Sequence, residues 1–259
     1  MHNNYVYGFH PVHLLLTNNK KNIKKNIKKI IINKTRNDIR FQKIIQLANK
    51  NNIFIEKTPI NKIKKIYPNI LHQGIVAIIN NNKYFYNEKK LEALIKNKKK
   101  LNLIIILDRI TDPQNLGSCI RTASLSKVDF ILIPKKNNIK KFTHIINKSS
   151  CGSLNHIPII TTTNLIRSIK TLKKNKIWIF GSTPEAKKNL YTTNFKSISI
   201  ALIFGSENKG IRHSIKQHCD FLFSIPTFNK ELKCLNISVS VGICLYEIIR
   251  QKLYANTNK

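Results

Sequence analysis

The sequence predicts an α/β protein, with a mostly parallel sheet covered by helices on both faces from residue 101 onward and a small α/β domain before it. Three observations lead there. Five short apolar runs after residue 100 alternate with helix-length polar segments, the pattern of strands joined by crossover helices. A chain of 259 residues, 42% of them hydrophobic, can bury one large core or two ordinary ones. Residues 80–100 are dominated by Asn, Lys and Tyr and end in Lys96-Asn97-Lys98-Lys99-Lys100, with little to bury and a block of like charge, which marks a linker. The expected units are therefore a domain over 1–80, a linker over 81–100 and a domain over 101–259.

The elements follow in order. After Tyr5-Val6-Tyr7-Gly8, the stretch Asn18 to Lys34 carries Ile23, Ile27, Ile30 and Ile31 at helical spacing among lysines. This predicts an amphipathic basic helix, either lying on RNA or forming a solvated surface. Alternation over Asn52 to Glu56 and the run Gly74 to Ile79 predict strands. So do Leu101 to Leu107, Phe130 to Pro134, Lys176 to Phe180, Ile198 to Phe204 and Phe221 to Ile225. A last helix is predicted over about Asn236 to Lys252, with Val239, Ile243, Tyr246 and Ile249 at 3.6-type spacing.

Charge bears on the partner. With 46 Lys+Arg against 12 Asp+Glu the formal net charge is +34, a self-repulsion that an anionic partner such as nucleic acid would screen. Of the 46, 39 are Lys, and Lys, Asn and Ile share A- and T-rich codons, so composition by itself explains part of the excess. Its distribution is more telling: residues 1–100 carry a net +18 and the longer stretch 101–259 only +16. The aromatic residues Tyr5, Tyr7, Phe9, Phe41 and Phe54 are available there for stacking on bases, although a small domain needs most of them in its core. Five cysteines without a CxxC pair argue against a disulfide framework or structural zinc, and His213, His218 and Cys219 carry no metal or nucleophile signal. The chain start lacks a signal-peptide pattern and no apolar run approaches 18 residues, so the reading is cytoplasmic, with no membrane and no metal.

In open parallel sheets ligands bind beyond the carboxyl ends of the strands, which directs attention to three loops. The first, Asp108 to Ala123, has Asp112-Pro113 to set a turn, Asn115 and Gly117 to permit tight geometry, and Arg121 near a helix N-terminus where an anion could be held; a plain capped turn with Arg121 exposed is the alternative. The second, Gly205-Ser206-Glu207-Asn208-Lys209-Gly210-Ile211, has P-loop-like glycine spacing but Ile211 where that motif needs Lys. What remains is a glycine-flanked loop presenting Glu207, one of few carboxylates. The third, Ser224 to Cys244, passes from a strand through Ile225-Pro226 and a polar loop to Leu235-Asn236-Ile237-Ser238, where Asn236 and Ser238 are either ligands or helix caps.

Together, N-x-G-x-x-x-R-x-A, G-x-E-x-x-G and I-P followed by L-N-I-S-V-x-x-G resemble the three motifs of the SpoU-type (SPOUT superfamily) RNA ribose 2'-O-methyltransferases. The resemblance extends to Tyr7-Gly8-Phe9-His10-Pro11-Val12, His72-Gln73-Gly74-Ile75 and Cys151-Gly152-Ser153-Leu154-Asn155-His156-Ile157-Pro158. It departs at Cys234, where the family usually has Ser, and in a loop from Thr227 to Lys233 that is one residue longer than expected.

The resemblance implies a C-terminal α/β trefoil-knot domain and an N-terminal RNA-binding domain. It implies S-adenosylmethionine as cofactor, with Gly205, Ile225 and Leu235 at its site, and Asn115, Arg121, Glu207 and Asn236 as catalytic residues. The implied reaction is methylation of a guanosine 2'-hydroxyl in large-subunit (23S) ribosomal RNA by a homodimer. The same chemistry on transfer RNA, or a non-catalytic RNA-binding or ribosome-assembly role, are the alternatives. Arginine keeps its proton in proteins, so the residues themselves favour Arg121 as a phosphate holder over a base.

Overall fold

The protein is described by a computed structural model over residues 5–17, 27–68, 70–79, 85–97, 103–136, 144–196, 198–229 and 234–254. Two compact units divide it, Met1–Lys83 and Tyr84–Lys259.

The first unit runs β1 (Tyr5–Tyr7), α1 (Phe9–Thr17), β2 (Ile27–Asn33), α2 (Ile39–Lys50), β3 (Ile55–Thr58), α3 (Ile60–Ile66) and β4 (Ile75–Ile79). Its sheet has the order β1-β4-β2-β3, parallel between β2 and β3 and antiparallel elsewhere. The basic helix expected over 18–34 is overturned for residues 27–33, which form β2; residues 18–26, with Ile23, lie outside the described residues. Ile30, Ile31 and Ile32 are consecutive, β-branched and all buried, a run that suits a strand covered on both faces better than a one-sided helix. The strand expected over 74–79 forms as β4, and the one expected over 52–56 forms later in the chain, as β3. Helix α2 starts where Asp38 accepts from the Arg40 and Phe41 backbone N–H groups.

The second unit runs β5 (Phe85–Tyr86), α4 (Glu88–Asn97), β6 (Leu103–Leu107), α5 (Pro113–Leu125), β7 (Phe130–Pro134), α6 (His144–Ser149), β8 (Ile159–Thr162), α7 (Leu165–Lys174), β9 (Ile177–Ser182), β10 (Ser199–Phe204), α8 (His213–Lys216), β11 (Phe221–Phe223) and α9 (Ile237–Tyr254). These strands form one parallel sheet in the order β11-β9-β10-β6-β7-β8-β5. Alternate residues of β6 serve opposite faces: Leu103, Ile105 and Leu107 join a core with α5 and α9, whereas Ile104 and Ile106 join one with α4 and α7. This is the two-sided coverage that the continuous apolar runs predict.

Two expectations are corrected here. Residues 85–97, expected within the linker, are part of this unit: Phe85 pairs with Ile159, and Leu91 and Ile95, one turn apart, are buried in the second core. Averaged composition hid that period. Glu88 then accepts from the Thr162 hydroxyl, from Thr163 and Asn164 backbone N–H groups at 2.6 and 3.3 Å, and from Arg167 at 2.8 Å, tying α4 to the start of α7. In α9 the buried face is Ile237, Val241, Cys244, Leu245 and Ile248, whereas Val239 and Tyr246 of the predicted stripe are 48% and 56% exposed. The helix is apolar on more than one face, so spacing alone could not choose the inner one.

Candidate active site

β10 lies beside β6 with Phe204 opposite Leu107, so the loops leaving these strands start side by side. On one side of β6 the chain continues to β7 and β8; on the other lie β10, β9 and β11. That is a topological switch point, the place where parallel sheets open a crevice. The Asp108 N–H donates to the Phe204 carbonyl at 2.8 Å, extending the pairing into the loops.

Four predicted or motif residues meet here through side chains. The Asn115 amide Nδ2 donates to Glu207 Oε1, joining the first loop to the second. Asn236 Nδ2 donates to Asn115 Oδ1 at 3.0 Å, joining the third. Asn236 Oδ1 in turn accepts from the Ser238 backbone N–H at 2.8 Å and its hydroxyl at 2.7 Å. Capping and site membership, alternatives in the sequence, are therefore both true of Asn236: one amide atom caps α9 and the other holds Asn115.

Two glycines of these loops are required by close packing. A Cβ at Gly205 would lie 1.9 Å from the Gly210 carbonyl carbon and 2.1 Å from the Ile211 nitrogen, so only glycine lets the loop fold back on its own start. Gly117 is helical and buried, and a Cβ there would meet Ser149 Oγ at 1.8 Å; it permits the close approach of α6. This corrects the turn reading, because α5 already begins at Pro113, with Asp112 accepting from the Gln114 N–H as its N-cap.

Arg121 is not joined to the network. It is exposed on α5, more than two turns past the helix start, and so far from the N-terminal amides that were expected to share an anion with it. Six positions separate it from Asn115, placing the two about 120° apart round the helix. Of the residues expected at the cofactor, Gly205 is two positions from Glu207, Leu235 adjoins Asn236 and is partly exposed, and Ile225 packs against the first core just after β11. Cys234 is exposed; Lys230 to Lys233 lie outside the described residues.

One pair escaped the sequence reading. Asp108 is fully buried and receives Arg212 Nε at 3.0 Å and Nη2 at 2.7 Å, a two-point clamp between the first loop and the end of the second. The available signal was an acidic residue at the very end of a central apolar strand, which burial forbids without a cation. Nearby, burial and then the Glu207 charge push the Cys119 thiol up to about 12, so it stays protonated and unreactive. Among the described residues no group of three or more His, Cys, Asp or Glu is placed to hold a metal ion, and no helix is long and apolar enough to cross a membrane.

Amide, amide and carboxylate thus tie three loops together at the switch point. The sequence profile of the SpoU rRNA Methylase family matches residues 102–246. The chain belongs to this family. A second profile, RNA 2'-O ribose methyltransferase substrate binding, matches residues 5–85 of this SpoU-family chain. It is 36% identical over 249 residues to the 23S rRNA (guanosine-2'-O-)-methyltransferase RlmB of Haemophilus ducreyi, covering 96% of this chain and 98% of that protein. The Neisseria meningitidis serogroup B protein of the same name is 35% identical, covering 97% and 96%. Among solved structures, the SpoU methyltransferase AviRb from Streptomyces viridochromogenes in complex with the cofactor AdoMet superposes with a TM-score of 0.78 at 17% identity, over 96% of this chain and 90% of that one, and so shares the fold.

Proposed function

We propose that this SpoU-family protein transfers a methyl group from S-adenosylmethionine to the ribose 2'-hydroxyl of a guanosine in 23S ribosomal RNA. The network Glu207–Asn115–Asn236 carries the reading, because it converges the three loops on one point with a fixed direction of hydrogen bonding. Near full-length relatives named for that reaction supply the substrate. Methylation of transfer RNA has no comparable support across both units.

The residues present fit the cofactor. Half-buried Gly205, with no side chain, and the apolar Ile225 and Leu235 offer backbone groups and a greasy surface to an adenosyl group, with Gly205 two positions from Glu207 and Leu235 next to Asn236. When bound, the cofactor supplies an electrophilic methyl on a sulfonium that becomes neutral as it leaves. The protein's task is then orientation and proton removal. Asn115 and Asn236 orient neighbouring groups without changing charge, and Glu207 fixes Asn115. Arg121, an exposed guanidinium, holds a substrate phosphate beside the ribose so that phosphate or water takes the proton. The trefoil threading of the segment carrying Asn236 belongs to this reading, supported by the family match over residues 102–246. So do a homodimer, supported by the exposed apolar residues of α9, and action in the cytoplasm, where ribosomal RNA is made.

Ribose-methylation mapping of 23S RNA treated with the purified chain and S-adenosylmethionine tests the proposal; an unchanged map, or methyl appearing only on transfer RNA, overturns it. Arg121→Lys and Arg121→Ala are expected to lose most activity while cofactor binding by calorimetry is retained. Cofactor binding lost in both would make Arg121 a structural residue instead.

A further inference from the structure

Two sequence segments that the active site does not use, Tyr7-Gly8-Phe9-His10 and His72-Gln73-Gly74, meet in the first unit. The Phe9 backbone N–H donates to Gln73 Oε1 at 3.1 Å, and the Gly8 N–H to the Ile75 carbonyl at 3.1 Å. Gly8, Gln73 and Gly74 all have positive φ, at 84°, 50° and 79°, so both turns are held in a conformation that costs free energy at Gln73. Arg36 braces the junction: Nη1 donates to the Gln73 carbonyl at 2.8 Å, Nε pairs with Asp38 at 2.5 Å, and the guanidinium covers the Phe41 ring at 4.6 Å.

On this frame sits a half-buried aromatic ring beside two imidazoles and a guanidinium. The Phe9 ring stacks on His13 at 5.5 Å, meets exposed His10 edge-on at 5.4 Å, and has the Arg40 guanidinium 5.9 Å from its centroid. Arg40 has no ion pair among the described residues, whereas Asp38, the nearest acid in sequence, is taken by Arg36. Among the described residues His13 Nε2 is buried without a hydrogen-bond partner. Burial first, then Lys43 and His10, lowers the His13 pKa, so its ring is neutral near pH 7. Exposed Ile39 and Leu71 adjoin Arg40 and the Gln73 turn in sequence.

We infer that Phe9, His10 and Arg40 form a binding site for one unpaired nucleotide of the substrate RNA, the base against the two rings and its phosphate on Arg40. Aromatic and imidazole faces beside an unpaired guanidinium are the chemistry that holds a splayed base, which a paired duplex cannot offer. Phe54 is the rival platform, 67% exposed, but among the described residues no second ring packs on it and no cation lies over it. The inference rests on the reading that this unit holds the RNA, and the test separates the two.

Binding of the full chain to a ribosomal RNA hairpin with a single-stranded loop, and to a duplex of equal length, would be followed by fluorescence anisotropy. Phe9→Leu, His10→Ala and Arg40→Gln are each expected to weaken hairpin binding roughly tenfold while duplex binding, thermal stability and cofactor affinity stay unchanged. Phe9→Trp is expected to restore the affinity that Phe9→Leu loses, which a purely structural role would not allow. Equal losses on hairpin and duplex would overturn the inference in favour of general charge attraction. Lys57→Glu with Lys62→Glu serves as the comparison on other elements of the unit. Loss there, with the Phe9 set silent, would overturn this site but keep the unit as the RNA holder; silence of both sets would overturn that reading as well.

Discussion

The Asn115 amide is oriented from both ends. Ser238 presents a backbone N–H, which can only donate, so Asn236 must turn its oxygen to it and its NH2 to Asn115. Asn115 then presents its own NH2 to Glu207, whose carboxylate only accepts. Reversing any member sets two acceptors against each other. Asn115→Asp, nearly isosteric, places a second carboxylate against Glu207 and is expected to lower kcat/KM on the order of 100-fold with little change in Tm. Activity within a few-fold of wild type would show that the network does not position the reacting groups. At this scale the sequence was readable for residue identity, since Asn115, Glu207 and Asn236 were all singled out. It was silent about Asp108 and Arg212, whose pairing across 104 positions only the neighbouring of β6 and β10 brings about.

Elements were legible where one requirement dominated. Continuous apolar runs gave β6, β7 and β10 nearly to the residue, because strands buried on both faces tolerate no polar position. They were misread where two requirements competed, as in β2, whose isoleucines also fit a helical period, and in α4, whose lysines masked Leu91 and Ile95. Glu88 shows what holds α4 in place. Burial raises its pKa, but donation from Thr162, Thr163 and Asn164 more than offsets this and holds the carboxyl at about 2, below its ordinary 4.5. A depressed value means stability present above about pH 4.5 and lost as pH falls toward 2. Glu88→Gln is therefore expected to lower Tm by roughly 2–4 °C at pH 7. That deficit narrows as melts are repeated from pH 4.5 down to 2.5; a constant deficit would mean the charge is not what matters.

For the whole molecule, moving the boundary from residue 100 to 83 leaves a net +14 on residues 1–83 and +20 on the much longer 84–259, so positive charge remains denser in the first unit. Exchanging three of its exposed lysines for Gln is expected to reduce the slope of log K against log salt by about 2–3 on ribosomal RNA. The same number exchanged in α7 should change it less, and equal effects would leave the charge to composition. The outer face of α9, with Val239, Tyr246 and Leu253 at 48%, 56% and 63% exposed, bears on assembly. Tyr246→Asp is expected to convert a dimer to monomer in light scattering, and a wild-type monomer would remove the dimer from the proposal. By itself the sequence determined the α/β class, five of the seven strands of the second sheet and the residues of three post-strand loops, because apolar period and local turn chemistry are written in neighbouring positions. Only the tertiary structure decided which face of α9 is buried, that residues 85–97 add a strand and a helix to the second unit, and that three distant loops share one hydrogen-bonded chain. Those outcomes depend on which strand lies beside which, and pairing between distant segments is set by the packing of the whole sheet rather than by any local stretch.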